Sequence, residues 1–320
     1  MKKTIITLFT VAIATGLTAQ IDGAEGDLKA KAKGSTDSTK NWDKGGTLNV
    51  NATQVSLSNW AGGGQNSVSL QGILGLYANY SEGKSAWDNS LDMAYGVIRQ
   101  GGNDAIWFKN DDRLELNSKY GYQLNKSWYA AALLNFRTQF VEGYADAAGQ
   151  VSGNVISNLL APSYTTIALG LDYKPNAKFS AFISPATIKI TTLLDDALQV
   201  NGAFGVEAGE SVRTEFGGYL KAGFVEPKVF GNENLSFKTA LSLFSNYQEN
   251  PQNIDVTWDT QITAKVAKYF NVSLSTNLIY DHDIDIAVDR DGDGINEGVG
   301  PRTQFKQVVA VGFAYNFKSK

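Results

Sequence analysis

The chain has 320 residues, of which 43% are hydrophobic and 19% are charged, and its formal net charge is −4. It contains no cysteine, which excludes disulfides, thiolate metal sites, a cysteine nucleophile and a lipid-modified N-terminal cysteine. The slight acidic excess argues against a nucleic-acid partner. The length exceeds the roughly 100–200 residues of an ordinary domain, although a barrel often forms one larger unit.

The first 19 residues have the layout of a secretory signal peptide. Lys2 and Lys3 precede an apolar run over residues 4–14, and Ala19 is a small residue at the expected cleavage site. The alternative is a membrane anchor, but this run is shorter than the ~20 residues that a spanning helix needs. Residues 20–41 are polar and of mixed charge, which predicts a flexible periplasmic leader.

From Trp42 onward the sequence alternates between apolar and polar side chains, most clearly in SWYAAALLNFRTQF (residues 127–140). Its even positions are mostly apolar, with aromatic residues at both ends, whereas its odd positions include Asn135, Arg137 and Gln139. Successive side chains of a strand point to opposite faces. The segment is therefore predicted to be a strand with an apolar face and a polar face, and Arg137 lies on the polar face.

About twelve segments have this alternation, and each is long enough to cross a bilayer as a tilted strand, which takes about 9–11 residues. The least regular are the first and the seventh, and the seventh contains Pro185, which removes a ladder hydrogen bond. The predicted strands are residues 47–57, 66–80, 87–98, 112–124, 127–140, 163–173, 177–191, 211–224, 234–247, 255–267, 270–281 and 304–317.

The connections between these segments alternate in length. Short ones such as SEGKSA and KPNAK alternate with long ones such as residues 141–162, 192–210 and 282–303. Outer-membrane barrels have short periplasmic turns and long extracellular loops, and an even number of strands brings both termini to the periplasmic side. Residues 42–320 are therefore predicted to form a single multi-pass, transmembrane antiparallel β-barrel in the outer membrane of a Gram-negative bacterium.

A secreted β-sandwich is the alternative, because its strands also alternate in polarity. Two features favour the barrel. Aromatic residues flank the aliphatic faces at both ends, as in the interfacial girdles of membrane barrels. Closure of a barrel also leaves no exposed strand edge.

Six long segments of the mature chain have sequences specific enough to compare with a known family: QVSLSNWAGGGQNSVSL (54–70), WDNSLDMAYG (87–96), DDRLELNSKYGYQ (111–123), ALLNFRTQF (132–140), IALGLDYKP (167–175) and LFSNYQENPQNIDVTW (243–258). Together they resemble an uncharacterised outer-membrane barrel family of the Gram-negative phylum Bacteroidota, which carries only a domain-of-unknown-function label. The resemblance extends from about Trp42 to Phe317. It implies the location and the fold, and it brings no catalytic residues.

Charged residues on the polar faces are predicted to line the lumen. They are Asp92, Glu115, Lys119, Arg137, Arg213, Glu215, Lys221, Lys238, Asp259 and Lys265. An arginine that faces lipid near the bilayer midplane destabilises a barrel by about 2–4 kcal/mol. Arg137 is therefore expected to point inward. Two interpretations remain open: a salt-bridge network that fills a narrow barrel, which is favoured, and a ring of charge that selects a solute.

The acidic segment DRDGDGINEGVG (residues 289–300) resembles the start of a calcium loop. Asp289, Asp291 and Asp293 provide alternate carboxylates, and a glycine follows that permits the sharp turn. The twelfth position is glycine rather than the expected bidentate glutamate, which leaves Glu297 as a further candidate ligand. The segment predicts a stabilising Ca²⁺ site in an extracellular loop, and the alternative is an ordinary acidic loop.

Catalysis is not expected. The sole histidine, His282, lies between two aspartates, and the sequence places no serine beside it as a lipase would require. The glycine-rich NWAGGGQN (residues 59–66) precedes no predicted helix, so it does not predict a phosphate cradle.

Three functions are considered. The first is a narrow, porin-like channel or transporter for small or amphipathic solutes. The second is a structural or assembly barrel that binds other envelope proteins through its loops or leader. An outer-membrane hydrolase ranks last. The expected partners are outer-membrane lipid and other envelope proteins, with no nucleic acid.

Overall fold

The computed structural model describes residues 41–56, 65–102, 104–288 and 298–318. The predicted signal peptide and nearly all of the predicted leader lie outside these residues. The strands are β1 (Trp42–Val55), β2 (Ser67–Glu82), β3 (Ser85–Gln100), β4 (Trp107–Gln123), β5 (Trp128–Thr138), β6 (Gly143–Tyr144), β7 (Val155–Ser157), β8 (Ser163–Tyr173), β9 (Phe179–Thr192), β10 (Val212–Glu226), β11 (Leu235–Asn246), β12 (Ile254–Lys265), β13 (Phe270–Tyr280), β14 (Asp285–Val288), β15 (Gly298–Pro301) and β16 (Gln304–Lys318). The helices are α1 (Ala147–Ser152), α2 (Asp196–Asn201) and a 3₁₀ turn at Val229–Gly231.

Twelve of these strands close into one antiparallel barrel, which confirms the predicted fold. Each barrel strand pairs with the barrel strands before and after it in the sequence, and β1 closes the ring against β16. Thr47 lies opposite Asn316 and Asn51 lies opposite Gly312 in that closing pair. Closure matters because it pairs the ladder groups that an open sheet would leave exposed at its edges.

The two ends of the barrel differ in the length of their connections. At one end, here called the short-turn end, residues 83–84, 124–127, 174–178 and 266–269 join adjacent strands. At the other, the long-loop end, β6, β7, α1 and α2 belong to long connections, and β14 pairs with β15 in another. The described helices are too short and too polar to cross a membrane.

The outer surface of the barrel is apolar and carries aromatic residues toward its ends. Leu134 and Leu169 are exposed there, whereas the neighbouring Leu133 and Ala168 are buried inside. Aromatic pairs at the short-turn end include Trp128 with Tyr173, whose ring centroids are 4.7 Å apart. Leu133 and Ala168 pack with Ala131 and Phe182 in an apolar cluster within the lumen. Part of the lumen is therefore filled.

The region around Pro185, predicted to be irregular, forms a bulge within a continuous β9. The register between β8 and β9 shifts between Leu169 and Leu171. The Ser184 hydroxyl oxygen lies 2.8 Å from the carbonyl oxygen of Leu169 and 2.9 Å from that of Ala186, so its single proton can be donated to either. This side chain thus adds a hydrogen bond to a backbone carbonyl beside the proline, which itself has no N–H to donate, and β9 continues past it.

Other boundaries also differ from the predicted ones. β4 begins at Trp107, within a segment predicted to be a loop, and β1 begins at Trp42 rather than at residue 47. The long connections contain local structure that alternation does not reveal. In one of them Ala161, Leu193 and Val206 form a small buried apolar cluster. Such short elements depend on contacts between loops, and strand periodicity carries no information on those contacts.

Candidate functional site

The structure divides the charged residues predicted to line the lumen into several groups rather than one ring. The buried ones are Asp92, Glu115, Lys119, Glu215, Lys221 and Asp259. Arg137, Arg213 and Lys238 are half-buried, and Lys265 is exposed at the last position of β12, at the short-turn end.

The first group is centred on Lys189 near the long-loop end. Its ammonium nitrogen lies 3.0 Å from the Asp255 carboxylate, 3.5 Å from Glu215 and 3.7 Å from Asp281. It also lies 5.0 Å from the centroid of the Phe244 ring. We call the four charged residues the Lys189 cluster. Since β9 is not adjacent to β12 or β13 in the barrel, the lysine side chain reaches across part of the lumen.

The Lys189 cluster continues toward the mouth through Arg213. The guanidinium of Arg213 lies 3.2 Å from Glu215 and pairs with Asp283, which follows β13 in a long connection. Its other terminal nitrogen donates to the carbonyl oxygen of Gly205 at 3.3 Å. Arg213 therefore joins two long connections to the rim of the barrel.

A second ionic group lies toward the short-turn end. Asp172 on β8 lies 3.2 Å from the ammonium nitrogen of Lys119 and 3.1 Å from that of Lys174. Lys174 also reaches Asp88 on β3 at 3.2 Å. Because β4 and β8 are not adjacent, the pair of Lys119 and Asp172 joins separate strands inside the barrel.

Amide side chains hold two of the remaining carboxylates. Asn135 donates to Glu115 at 2.8 Å, and Asn277 donates to Asp259 at 2.6 Å. Hydrogen bonds of this kind lower the desolvation penalty of a buried carboxylate.

A cavity of about 180 Å³ lies inside the barrel, between the Lys189 cluster and the middle of the strands. Four residues predicted from the sequence meet in its wall: Glu115, Arg137, Lys221 and Asp259. Lys189, Asp255 and Asp281 also line it, together with the apolar or aromatic side chains Leu133, Tyr164, Tyr219, Phe244, Ile279 and Ile284.

Arg137, which lies within the largely apolar sequence of β5, points into this cavity. Its guanidinium carbon lies 5.1 Å from the centroid of the Tyr164 ring on the adjacent strand β8. Glu115 is its cross-strand neighbour on β4. Within the part of the chain that the structure describes, Arg137 nevertheless forms no ion pair with a carboxylate. Four carboxylates, Glu115, Asp255, Asp259 and Asp281, line the same cavity. Glu115 accepts a hydrogen bond from Asn135 and pairs with Arg113 at 3.6 Å.

Sequence reasoning missed Lys189, Asp255, Asp281 and Tyr164. Lys189 lies beyond Pro185, where the bulge resets the alternation of β9. Asp255 shares the parity of Asp259, so alternation alone was sufficient to identify it. Asp281 directly follows β13 and was grouped with the loop around His282.

The predicted calcium ligands Asp289, Asp291, Asp293 and Glu297 lie outside the described residues, and the Ca²⁺ site stays a prediction. Over the described ranges, no group of three or more histidine and acidic side chains is arranged to hold a metal ion. His282 lies 3.2 Å, through its Nδ1, from the Tyr280 hydroxyl. Among the described contacts of His282 there is no hydrogen bond to a serine.

No curated protein sequence matches the chain. Among solved structures, the barrel is similar to an outer-membrane channel from Pseudomonas putida F1, with 11% identity and a TM-score of 0.38; the match covers 87% of this chain and 96% of that one. It is also similar to the translocator domain of the autotransporter NalP from Neisseria meningitidis, with 9% identity, a TM-score of 0.36 and coverage of 90% and 93%. A mutant of the monoaromatic hydrocarbon channel TodX has 10% identity, a TM-score of 0.35 and coverage of 88% and 91%.

An origin in Bacteroidota stays a prediction, as do the outer-membrane location and the signal peptide. The sequence comparison with protein families is more local than those with whole structures. Residues 52–144, which include β2 to β5, match the family described as Protein of unknown function (DUF3078), and this confirms the expected resemblance to a family of unknown function.

Proposed function

We propose that the protein is a narrow channel or transporter for small or amphipathic solutes in the outer membrane of a Gram-negative bacterium. The apolar outer surface supports insertion into lipid. Leu169, Val309 and Phe305 are each about 60% exposed on that surface, at 60%, 62% and 61%. Such side chains are stable next to hydrocarbon, and the paired strands leave few backbone groups for the lipid to meet.

The observation that carries the proposal is the cavity inside the lumen, lined by ionisable side chains. A barrel that served only as a scaffold has no need for a polar space of this kind, which it could fill with packed side chains. The Lys189 cluster lies at the long-loop side of this space, where a lysine reaches across the lumen to one carboxylate on β12 and another just after β13. We place the narrowest part of the passage there. The proposal assigns no catalytic step.

Conductance in planar bilayers tests this assignment. The mature full-length protein should give discrete open states in KCl. Lys189→Met removes a positive charge that lies near Glu215, Asp255 and Asp281. The ratio of K⁺ to Cl⁻ permeability should then rise several-fold, because charged side chains that line a narrow pore set its selectivity.

Lys178→Met is the matched control. Lys178 also pairs with a carboxylate, Glu226, but its side chain is 51% exposed at the short-turn end, against 20% for Lys189. Its removal should leave the permeability ratio unchanged. A wild-type protein that inserts but never conducts, or a Lys189→Met variant with unaltered selectivity, contradicts the proposed channel.

The second candidate is a structural or assembly barrel that binds other envelope proteins, and one observation favours it. The long connections expose apolar side chains, among them Val151 at 79% and Val200 at 72%. Both lie on the short helices α1 and α2, outside the barrel wall. A silent barrel that co-purifies with another envelope protein at fixed stoichiometry supports this function instead of the channel.

A further inference from the structure

Two groups of the cavity wall, the Arg137 guanidinium and the Tyr164 hydroxyl, can donate hydrogen bonds to a ligand. The guanidinium carbon of Arg137 lies over the Tyr164 ring, 5.1 Å from its centroid, in a cation–π contact. The N–H groups of the guanidinium lie in its plane and point outward from its edge, in a fork that matches a carboxylate. In the described structure no carboxylate pairs with this fork. Arg137 is thus positioned by an aromatic ring and remains able to bind an anion.

Tyr164 supplies an independent observation at the same place. Its hydroxyl oxygen is buried and has no hydrogen-bond partner among the residues that the structure describes. A buried polar group without a partner destabilises the protein by about 1–3 kcal/mol, and native structures generally satisfy such groups with a neighbour, water or a ligand. Tyr164 also lines the cavity. A ligand that accepts a hydrogen bond would satisfy this hydroxyl and Arg137 together.

The acidic side chains of the cavity already have donors. Glu115 accepts from Asn135 and Asp259 accepts from Asn277. The remaining two, Asp255 and Asp281, lie in the Lys189 cluster. A cationic solute would have to compete with these partners, whereas an anionic group meets the Arg137 guanidinium and the Tyr164 hydroxyl, which no carboxylate of the described residues engages.

The rest of the wall favours an apolar body. Leu133, Tyr219, Phe244 and Ile279 line the same cavity. Leu133 and Phe244 are both buried, so the apolar surface is inside the lumen and not on the lipid side. Small-molecule sites commonly combine such walls with a few polar groups that fix the orientation of the ligand.

We propose that the cavity is a binding site for a small monocarboxylate with an apolar body. The carboxylate accepts from the guanidinium edge of Arg137 and from the Tyr164 hydroxyl, and the body packs between Leu133, Tyr219 and Phe244. This inference rests on the proposed function, because it names the class of solute that the passage receives from the long-loop end.

Isothermal titration calorimetry on the folded, detergent-solubilised mature protein tests the site with hexanoate as the probe. Hexanoate should bind to the wild type. Hexanamide, which has the same shape and no charge, and hexylammonium should both bind at least about tenfold more weakly, since only the carboxylate forms charge-assisted bonds with Arg137. Arg137→Gln should weaken hexanoate binding by about tenfold or more and leave hexanamide binding little changed.

Two variants separate loss of the site from loss of the fold. Tyr164→Phe keeps the ring under Arg137 and removes only the hydroxyl, so it should weaken hexanoate binding by a few-fold in a barrel that still folds. Arg302→Gln makes the same charge change at an exposed residue outside the cavity wall and should have no effect. Folding of each variant is checked by heat-modifiable migration on gels.

The site is refuted if hexanoate, hexanamide and hexylammonium bind alike, or if Arg137→Gln and Arg302→Gln give equal affinities. Conductance of the same preparations keeps the two proposals apart. An open state without selective hexanoate binding refutes the carboxylate site and leaves the channel. Selective hexanoate binding by a barrel that never conducts supports the site and refutes the channel.

Discussion

Gly170 is the residue that permits the bulge between β8 and β9, and this bulge shifts the register of the two strands. It lies on β8 beside the displaced part of β9, where the register shifts. A Cβ atom at this position would overlap the carbonyl oxygen of Ile183. Only glycine allows the two backbones to approach this closely. Beyond the bulge, Lys189 lies opposite Glu215 and faces the lumen, so the Lys189 cluster depends on this local geometry.

We expect Gly170→Ala to lower the free energy of unfolding by ~1–3 kcal/mol, because the added methyl group must displace the backbone of β9. Urea-induced unfolding in lipid vesicles, followed by tryptophan fluorescence, measures the change. Gly72→Ala is the matched control, since a Cβ atom on Gly72 meets nothing within 4 Å. Equal unfolding free energies for the two variants would show that the close approach is not required.

At the scale of elements, the rim end of β4 attaches a long connection to the barrel. Asp112 accepts hydrogen bonds from the backbone N–H groups of Phe140 at 2.8 Å and Val141 at 3.0 Å. Lys109 pairs with Asp112 at 2.9 Å and donates to the carbonyl oxygen of Val141 at 2.7 Å. These bonds fix the chain where it leaves β5 and so position the segment that contains β6, α1 and β7.

Asp112→Asn should loosen this connection while the barrel remains closed. The asparagine amide carries no charge to pair with Lys109. A hydrogen bond to a charged group contributes about 1.5–3 kcal/mol to stability. Local opening should therefore increase about tenfold or more, seen as faster proteolysis within residues 141–162. Asp104→Asn, at an exposed position before β4, provides the control. Identical cleavage rates in the two variants would show that the loop is held by other contacts.

At the scale of the whole molecule, the two faces of the barrel wall have opposite chemistry. Leu241 and Ser242 illustrate this on β11, since Ser242 lines the cavity and Leu241 lies opposite Trp258, whose side chain is 51% exposed on the outer surface. Toward the short-turn end, ionic contacts join strands that are not neighbours, as between Lys119 on β4 and Asp172 on β8. The backbone ladder closes the ring, and these contacts decide how much of its interior stays open.

Cysteine labelling in isolated envelopes tests this partition, and the chain has no cysteine that would give a background. Ser242→Cys should react with a small water-soluble maleimide at least about tenfold faster than Leu241→Cys, because a thiol in hydrocarbon does not ionise. Asn135→Cys and Leu134→Cys form a second adjacent pair. Equal labelling within both pairs would show that the outer surface is wetted, and the proposed outer-membrane location would then be wrong.

The sequence by itself determined the strand number, the order of short and long connections, and the face on which Arg137, Glu115 and Asp259 lie. The physical reason is that strand alternation has a fixed period of two and each face meets one environment over its whole length. The sequence also determined which connections are long, and therefore at which end of the barrel they lie.

Only the tertiary structure decided which of these side chains meet. Arg137 faces the lumen, and only the structure shows that its guanidinium carbon lies 5.1 Å from the centroid of the Tyr164 ring, while Asn135 and Arg113 contact Glu115. Lys189 reaches Asp255 and Asp281 across strands far apart in the sequence, after a bulge that breaks the alternation. Periodicity is a property of single strands, whereas the cavity depends on the curvature, closure and bulges that bring distant strands face to face.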